Sequence, residues 1–225
     1  MDFITTGDGS KTIFNPVVGE HYHSTHGAVR ESKHVFLAAG LQYFLSKETV
    51  EAKAPISILE VGFGTGLNFL ITANYCEEIQ LALKYTGIEA YPLAIDTINE
   101  SGYEKEVSPS IWASFINRYD NALMQPQPLT DGISFEVVHQ LVSDFNTTHV
   151  YDVLYFDAFA AVRQPEMWTI ETLSHVCNFL KPGGVFVTYA ITGNLKRIMK
   201  SLGFSIEKAP GAPGKREMLR AIKLR

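Results

Sequence analysis

Cysteine is scarce in this chain of 225 residues: Cys76 and Cys177 are the only two. That excludes a disulfide framework. Both lie in helix-like apolar segments, so reduced core thiols are expected. No apolar run approaches the roughly 20 residues that a membrane helix needs, so no membrane partner is expected. The first residues, Met1 to Gly9, contain acids and glycines and lack the basic-then-apolar order of a secretory signal. A cytoplasmic protein is the expectation. Internal repeats and low-complexity tracts are also missing. The length suits one large α/β domain with a substantial core.

Positive charge is sparse over most of the chain. Residues 1–195 hold 10 Lys/Arg against 22 Asp/Glu, whereas residues 196–225 hold 9 against 2, within an overall formal charge of −5. A basic end on an acidic body suits contact with a polyanion, or else simply balances the surface.

Short apolar runs alternate with helix-like segments from position 56 onward. Strands are expected at Ile56–Val61, Lys84–Glu89, Ile133–His139, Asp152–Phe156 and Val185–Tyr189. Helices are expected at Leu67–Cys76, from Pro92, over 108–123, from Pro165 to about Leu180, and at Asn194–Leu202. Lys181 to Gly184 is expected as a turn. Ser205–Lys208 and Glu217–Ile222 suit a closing antiparallel pair. The pattern predicts an α/β fold, a mostly parallel sheet with helices on both faces. Residues 1–50 fall outside the alternation. They are expected as an extension, with a helix over 34–47, that packs on the cofactor side of a domain spanning 51–225.

The densest motif is Glu60-Val61-Gly62-Phe63-Gly64-Thr65-Gly66, between the first of these strands and its helix. Glycines there permit tight turning and close approach of a ligand, and the helix start adds free N–H groups. A dinucleotide fingerprint would place its third glycine at 67, which is Leu67. The G-x-G-x-G spacing behind Glu60 resembles the first motif of class I S-adenosylmethionine (SAM) methyltransferases, in which the acid lies near the cationic end of the cofactor. Acids also mark other strand ends, where such sheets bind ligands. Glu89 suits a ribose, in SAM or NAD alike; Asp144 suits an adenine amino group, or a helix cap. Asp157 emerges from the apolar run Val153-Leu154-Tyr155-Phe156, where a carboxylate can orient an amine and take up its proton. His21, His23 and His26 have no partner at a familiar metal spacing, so no metal is expected.

Further pieces carry a more specific resemblance. They are His23-Ser24, Glu31 and His34-Val35-Phe36-Leu37; Gly62 through Thr65-Gly66-Leu67-Asn68-Phe69-Leu70; Asp157-Ala158-Phe159-Ala160; Gln164-Pro165-Glu166-Met167-Trp168; Pro182-Gly183-Gly184; Gly203-Phe204; and Gly214-Lys215-Arg216-Glu217-Met218. Together and in this order, the chain resembles the methyltransferase domain of the tRNA-modifying MnmC family in stand-alone form. Many members have Asp-Gly-Phe-Ala-Pro-Ala where this chain has Asp157 to Val162, so the aspartate is kept and the loop after it can differ.

The resemblance implies SAM-dependent N-methylation of the 5-aminomethyl group on the wobble uridine of tRNA, giving 5-methylaminomethyl-(2-thio)uridine. It implies no FAD oxidase domain in this chain. It implies a catalytic Asp157 and cofactor contacts from Glu60, Gly62, Phe63, Gly64, Thr65, Gly66, Asn68, Glu89, Asp144, His23 and Ser24. A base splayed from the anticodon loop would use aromatic contacts. Tyr22, Phe63, Phe159, Trp168 and Tyr189 are the candidates, although Trp168 could equally pack in the core. Lys215 and Arg216, after Pro210-Gly211-Ala212-Pro213-Gly214, are expected on a flexible loop that offers two cations to the tRNA. A protein or small amine as methyl acceptor, a non-catalytic SAM-binding module, and, less favoured by the glycine spacing, a nicotinamide oxidoreductase remain as alternatives.

Overall fold

The structure, a computed structural model, describes residues 2–47 and 55–224. The boundary expected at 50–51 lies outside them. An eight-stranded sheet organises the chain: β4 (Ile56–Val61), β5 (Leu83–Glu89), β6 (Gln127–Thr130), β7 (Ile133–His139), β8 (Tyr151–Phe156), β9 (Leu180–Thr188), β10 (Phe204–Pro210) and β11 (Glu217–Lys223). Its order is β10-β11-β9-β8-β4-β5-β7-β6. The central neighbours β9, β8, β4, β5 and β7 pair in parallel. β11 runs antiparallel to β9 and to β10, and β6 antiparallel to β7.

β4 and β8 are buried at every position, as a central strand covered on both faces must be. One face packs Phe69, Phe115, Phe135 and Tyr85 under α3 (Leu67–Glu78) and α5 (Pro109–Ala122). The other packs Phe156, Phe186, Leu173 and Met199 under α6 (Ile170–Asn178) and α7 (Gly193–Ser201).

The elements differ from the sequence expectation at five places. β6 was not anticipated; it is four residues long and includes Pro128, on an edge strand where a missing donor is tolerated. Pro92 does not open a helix, because α4 (Ile95–Asn99) starts only after an extended Ala94. The helix expected from Pro165 divides into a 3₁₀ turn (Pro165–Trp168) and α6. Thr169 between them is extended and its hydroxyl caps the Thr172 N–H. β9 begins at Leu180 instead of Val185, and the expected turn residues are absorbed where its register against β8 shifts. The segment expected as a helix over 34–47 starts earlier. It runs through α1 (Ala28–Glu31), an eleven-residue π-helical stretch (Ser32–Gln42) and α2 (Tyr43–Lys47). Gly40 lets this segment lie close on the sheet, since a Cβ there would meet the Tyr155 ring at 2.8 Å.

Before that helix, β1 (Phe3–Thr5), β2 (Lys11–Asn15) and β3 (Glu20–His21) form a separate antiparallel sheet. Its outer end, with the loop to α1, faces the carboxyl ends of the parallel strands across a cavity. Cys76 and Cys177 are both free and buried. Burial pushes each thiol up to about 12.

Candidate active site

The carboxyl ends of β4, β5 and β8 are knitted together by backbone hydrogen bonds. Gly62 N–H donates to Ile88 O at 3.0 Å and Asp157 N–H donates to Val61 O at 2.9 Å. The glycine loop continues from there with positive φ at Gly62, Gly64 and Gly66. At Gly62 no side chain is tolerated: a Cβ would lie 2.6 Å from the Asp157 carbonyl oxygen. This floor opens into a cavity of about 1250 Å³. A pocket for one drug-sized ligand is roughly 300–1,000 Å³, so there is room for a nucleoside-sized cofactor and part of a second molecule.

Of the residues singled out from sequence, His23, Ser24, Gly62, Gly64, Glu89, Asp157, Phe159, Tyr189 and Lys215 line the cavity. Glu89 accepts from Gly64 N–H and Tyr91 N–H, both at 2.9 Å. His23 Nε2 lies 2.8 Å from Thr65 Oγ1. Burial pushes His23 down to about 4, so the ring is neutral at pH 7. The Tyr189 hydroxyl donates to Ala158 O at 3.0 Å. The Phe159 ring meets Tyr22 edge-on at 5.3 Å.

Eight others do not line the cavity, and each has a local reason. Glu60 is fully buried beneath the floor. It accepts from Asn68 Nδ2 and from the Tyr85 hydroxyl, both at 2.8 Å. Asn68 Nδ2 also donates to Asp157 Oδ2 at 2.8 Å, so Asn68 links Glu60 to the cavity-lining Asp157. The Phe63 ring turns down into the core beside Phe69, Phe115 and Tyr119 and offers no base-stacking surface. Thr65 and Gly66 end the loop on its inner side: Thr65 is fully buried, and a Cβ at Gly66 would meet the Phe115 and Phe63 rings. Asp144 is exposed and accepts from the Ser143 hydroxyl, while a tight turn presents Gln140, Leu141, Val142 and Ser143 to the cavity in its place. Trp168 is buried edge-on against Phe156 and Tyr189, and its indole N–H donates to Phe159 O at 2.8 Å. It fastens the loop that carries Phe159. Arg216 is exposed, away from the cavity wall.

Lys215, on the exposed loop between β10 and β11, is engaged at the cavity rim. Its Nζ is turned inward, 2.8 Å from Glu31 Oε1 and 3.8 Å from the centre of the Tyr189 ring. Glu31 is buried and also accepts from Ser24 N–H at 2.9 Å. Glu20, on the same wall, accepts from Ala160 N–H at 3.0 Å. The sequence pointed to neither glutamate as a site residue, although Glu31 stood among the motif residues and held a signal.

Burial and the neighbouring Glu31 carboxylate push Asp157 up to about 8, with Asn68 and Lys215 pulling the other way and Glu20 adding to the rise. Burial and Asp157 likewise hold Glu60 well above the ordinary carboxylate value. The three histidines of the cover are dispersed: His23 meets Thr65, His21 packs on Phe14, and His26 lies against Gly214. Among the described residues no group of three or more His, Cys, Asp or Glu is placed to hold a metal ion, and no helix is long and apolar enough to cross a membrane.

A parallel sheet with an antiparallel β10–β11 closure, and a glycine loop at the carboxyl edge of its central strand, define the class I SAM-dependent methyltransferase fold. Comparison with known proteins narrows this. The family model described as S-adenosyl-L-methionine-dependent methyltransferase matches residues 106–224, a little over half the chain. The chain belongs to that family, and SAM is its cofactor. It is 29% identical over 224 residues to the tRNA 5-methylaminomethyl-2-thiouridine biosynthesis bifunctional protein MnmC of Paraburkholderia xenovorans, covering 92% of this chain and 33% of that one. Against the protein of the same name from Magnetococcus marinus it is 29% identical over 245 residues, 97% and 34% of the two chains. The chain thus spans about a third of the length of the curated relatives it matches. Among solved structures, MNMC2 from Aquifex aeolicus superposes with a TM-score of 0.79 at 24% identity, covering all of this chain and 70% of that one. A magnesium protoporphyrin IX methyltransferase from Synechocystis, with bound SAH, shares the fold at a TM-score of 0.53 and 10% identity, over 87% and 84% of the two chains.

Proposed function

We propose that this methyltransferase acts on the 5-aminomethyl nitrogen of a wobble uridine in tRNA, giving 5-methylaminomethyl-(2-thio)uridine. The observation that carries the reading is the Asp157 carboxylate, which opens into the cavity with Glu31 and Glu20 on the same wall and the Tyr22, Phe159 and Tyr189 rings beside it. The MnmC relatives, named as tRNA 5-methylaminomethyl-2-thiouridine biosynthesis proteins, support the same chemistry. A tRNA substrate also fits a cytoplasmic enzyme.

The residues present fit SAM. The glycine at 62 leaves backbone where a side chain would collide, and Gly64 is in reach of the Tyr22 ring, 3.0 Å from the position of a Cβ. Glu89 keeps lone pairs for two ribose hydroxyls beyond the two N–H groups that it already accepts. The Gln140–Ser143 turn, directly before Asp144, would face the adenine. When bound, the cofactor supplies a methyl group made electrophilic by its sulfonium.

The protein's task is then to present a neutral amine in line and to remove a proton. An alkylammonium entering the cavity must lose a proton before its lone pair can form a bond. An ordinary aspartate is too weak a base for this, whereas Asp157, pushed up to about 8, is matched to the amine. Asn68 holds Oδ2 and leaves the other carboxylate oxygen for the substrate. Glu31 and Glu20 attract a cation to this end, and the aromatic rings offer faces to a flipped pyrimidine.

The test is transfer of label from methyl-labelled SAM to tRNA from cells lacking this enzyme, followed by nucleoside analysis. Label in 5-methylaminomethyl-uridine or its 2-thio form is the expected result. Unlabelled tRNA alongside demonstrated SAM binding would overturn the substrate and turn the search to protein or small-molecule amines.

A further inference from the structure

The basic C-terminal segment divides into two sets of side chains. The first is committed to the fold. Arg220 pairs with Glu207 at 2.7 Å and lies over the Tyr43 ring; Lys223 Nζ donates to the carbonyls of Cys177 and Leu180, both at 2.8 Å; Lys215 is held by Glu31. The second set faces outward. Among the described residues Lys196, Arg197 and Lys200 form no ion pair and no side-chain hydrogen bond, and Lys208 reaches Glu217 only at 3.9 Å. These four cations surround one shallow depression of about 420 Å³, whose remaining lining is Gly193 and Ile206. Among the described residues no acid lines it.

The arrangement follows from the helix. Leu195, Ile198 and Met199 bury one face of α7, which turns Lys196, Arg197 and Lys200 outward. Lys196 and Lys200 are then like charges one turn apart, a spacing that disfavours a helix. Folding gains nothing from that repulsion, and a body that is otherwise acidic offers these cations no partner here. The place matters as well. α7 starts at Gly193, shortly after Tyr189 of the cavity wall, and nine residues of helix extend only about 14 Å. A polyanion on this face therefore lies within a few nucleotides of the cavity.

We propose that the α7–β10 face docks the phosphodiester backbone of the RNA whose base enters the cavity, with Lys196, Arg197, Lys200 and Lys208 each meeting phosphate. This rests on the tRNA reading above and places backbone recognition on a different element from Lys215, whose Nζ is paired with Glu31. Phosphate neutralisation has a distinct signature: for every phosphate that a variant no longer neutralises, the dependence of log K on log salt flattens by about 0.7 to 0.9.

The experiment compares wild type with the triple variant Lys196→Ala, Arg197→Ala, Lys200→Ala. tRNA affinity is titrated from low to physiological salt, and SAM-dependent thermal stabilisation reports folding and the cofactor site. The expected result is a Kd for tRNA raised at least about tenfold, a salt slope reduced by about two to three, and unchanged stabilisation by SAM. An unchanged slope in a variant whose wild type methylates tRNA overturns the docking face and leaves the substrate reading intact. A wild type that neither binds nor methylates tRNA overturns the substrate reading and the docking face together. Lys208→Glu supplies a second variant, expected to raise the Kd for tRNA and leave stabilisation by SAM unchanged; an unchanged Kd overturns the part of Lys208 in the docking face.

Discussion

The floor of the cavity and its cover are held by different forces. The floor is strand ends joined through backbone hydrogen bonds, Gly62 to Ile88 and Asp157 to Val61, with the buried Asn68 side chain bridging the Glu60 and Asp157 side chains beneath them. The cover is the β1–β3 sheet, the loop to α1 and the β10–β11 loop, attached by single side chains across long stretches of sequence. Lys215 joins two parts of the cover, reaching Glu31 across 184 positions, and Glu20 ties the cover to the loop after β8 by receiving Ala160 N–H across 140. A ladder of backbone bonds gives way all at once or not at all, whereas individual side-chain contacts can be exchanged one at a time. The floor thus fixes where the reacting groups sit, and the cover tunes their charge and admits the substrate.

The largest effects should come from the floor. Asp157→Ala removes the base, and turnover should fall by about 10² to 10⁴, the usual reach of a positioned proton acceptor. SAM-dependent stabilisation should largely survive. An equal loss of SAM affinity would assign Asp157 to cofactor binding instead. Gly62→Ala comes next. Its φ of 87° and the 2.6 Å approach to the Asp157 carbonyl leave a methyl group no space. Backbone strain of this kind costs about 1–3 kcal/mol, so a lower melting temperature and weaker SAM binding are both expected. Full retention of SAM affinity would show that the floor is less rigid than its hydrogen bonds imply.

The same division explains what could be anticipated from sequence. The floor is written in local signals: apolar runs of strand length, glycines at fixed spacing, an acid at a strand end. These placed β4, β5, β7 and β8 and brought Glu89 and Asp157 to the cavity. Side-chain direction was harder to read. Whether Glu60 or Phe63 points up or down depends on the alternation along a strand and on how a loop with three positive φ values leaves it. Both turned down. The cover depends on partners far apart in sequence, and no spacing rule links Glu31 with Lys215 or Glu20 with Ala160. That is why two acids of the cavity wall were missed and why the pairing of Lys215 with Glu31 was not anticipated.

Charge on the cover should tune the base on the floor, with opposite signs from its two members. Glu31 raises Asp157 and Lys215 lowers it. In Glu31→Gln the ascending limb of the pH–rate profile should move to lower pH, and in Lys215→Met to higher pH. Movement in the same direction would mean that both act by holding the cover in place. Stability carries the same signature. Asp157 is raised in the folded protein above its ordinary value of 3.8, so its contribution favours folding when protonated and is lost as pH rises through about 8. The cofactor-free protein should therefore lose melting temperature between about pH 4 and 8 in excess of Asp157→Asn, which should be flatter over that window.

The smallest effect should come from the seam between the two regions. Trp168 does not touch the cavity, but its indole N–H fixes Phe159 O, and the Phe159 ring meets Tyr22 of the cover. Trp168→Phe keeps most of the packing against Phe156 and Tyr189 and deletes that one hydrogen bond. A fully buried carbonyl left without its donor costs about 1–3 kcal/mol, and the part-buried Phe159 carbonyl at the cavity wall should cost less. Because the loop positions a ring for the substrate and not the base, KM for tRNA should rise a few-fold while kcat changes little. If Trp168→Phe instead lowered kcat and left KM alone, the loop would be holding Asp157, and the seam would belong to the floor.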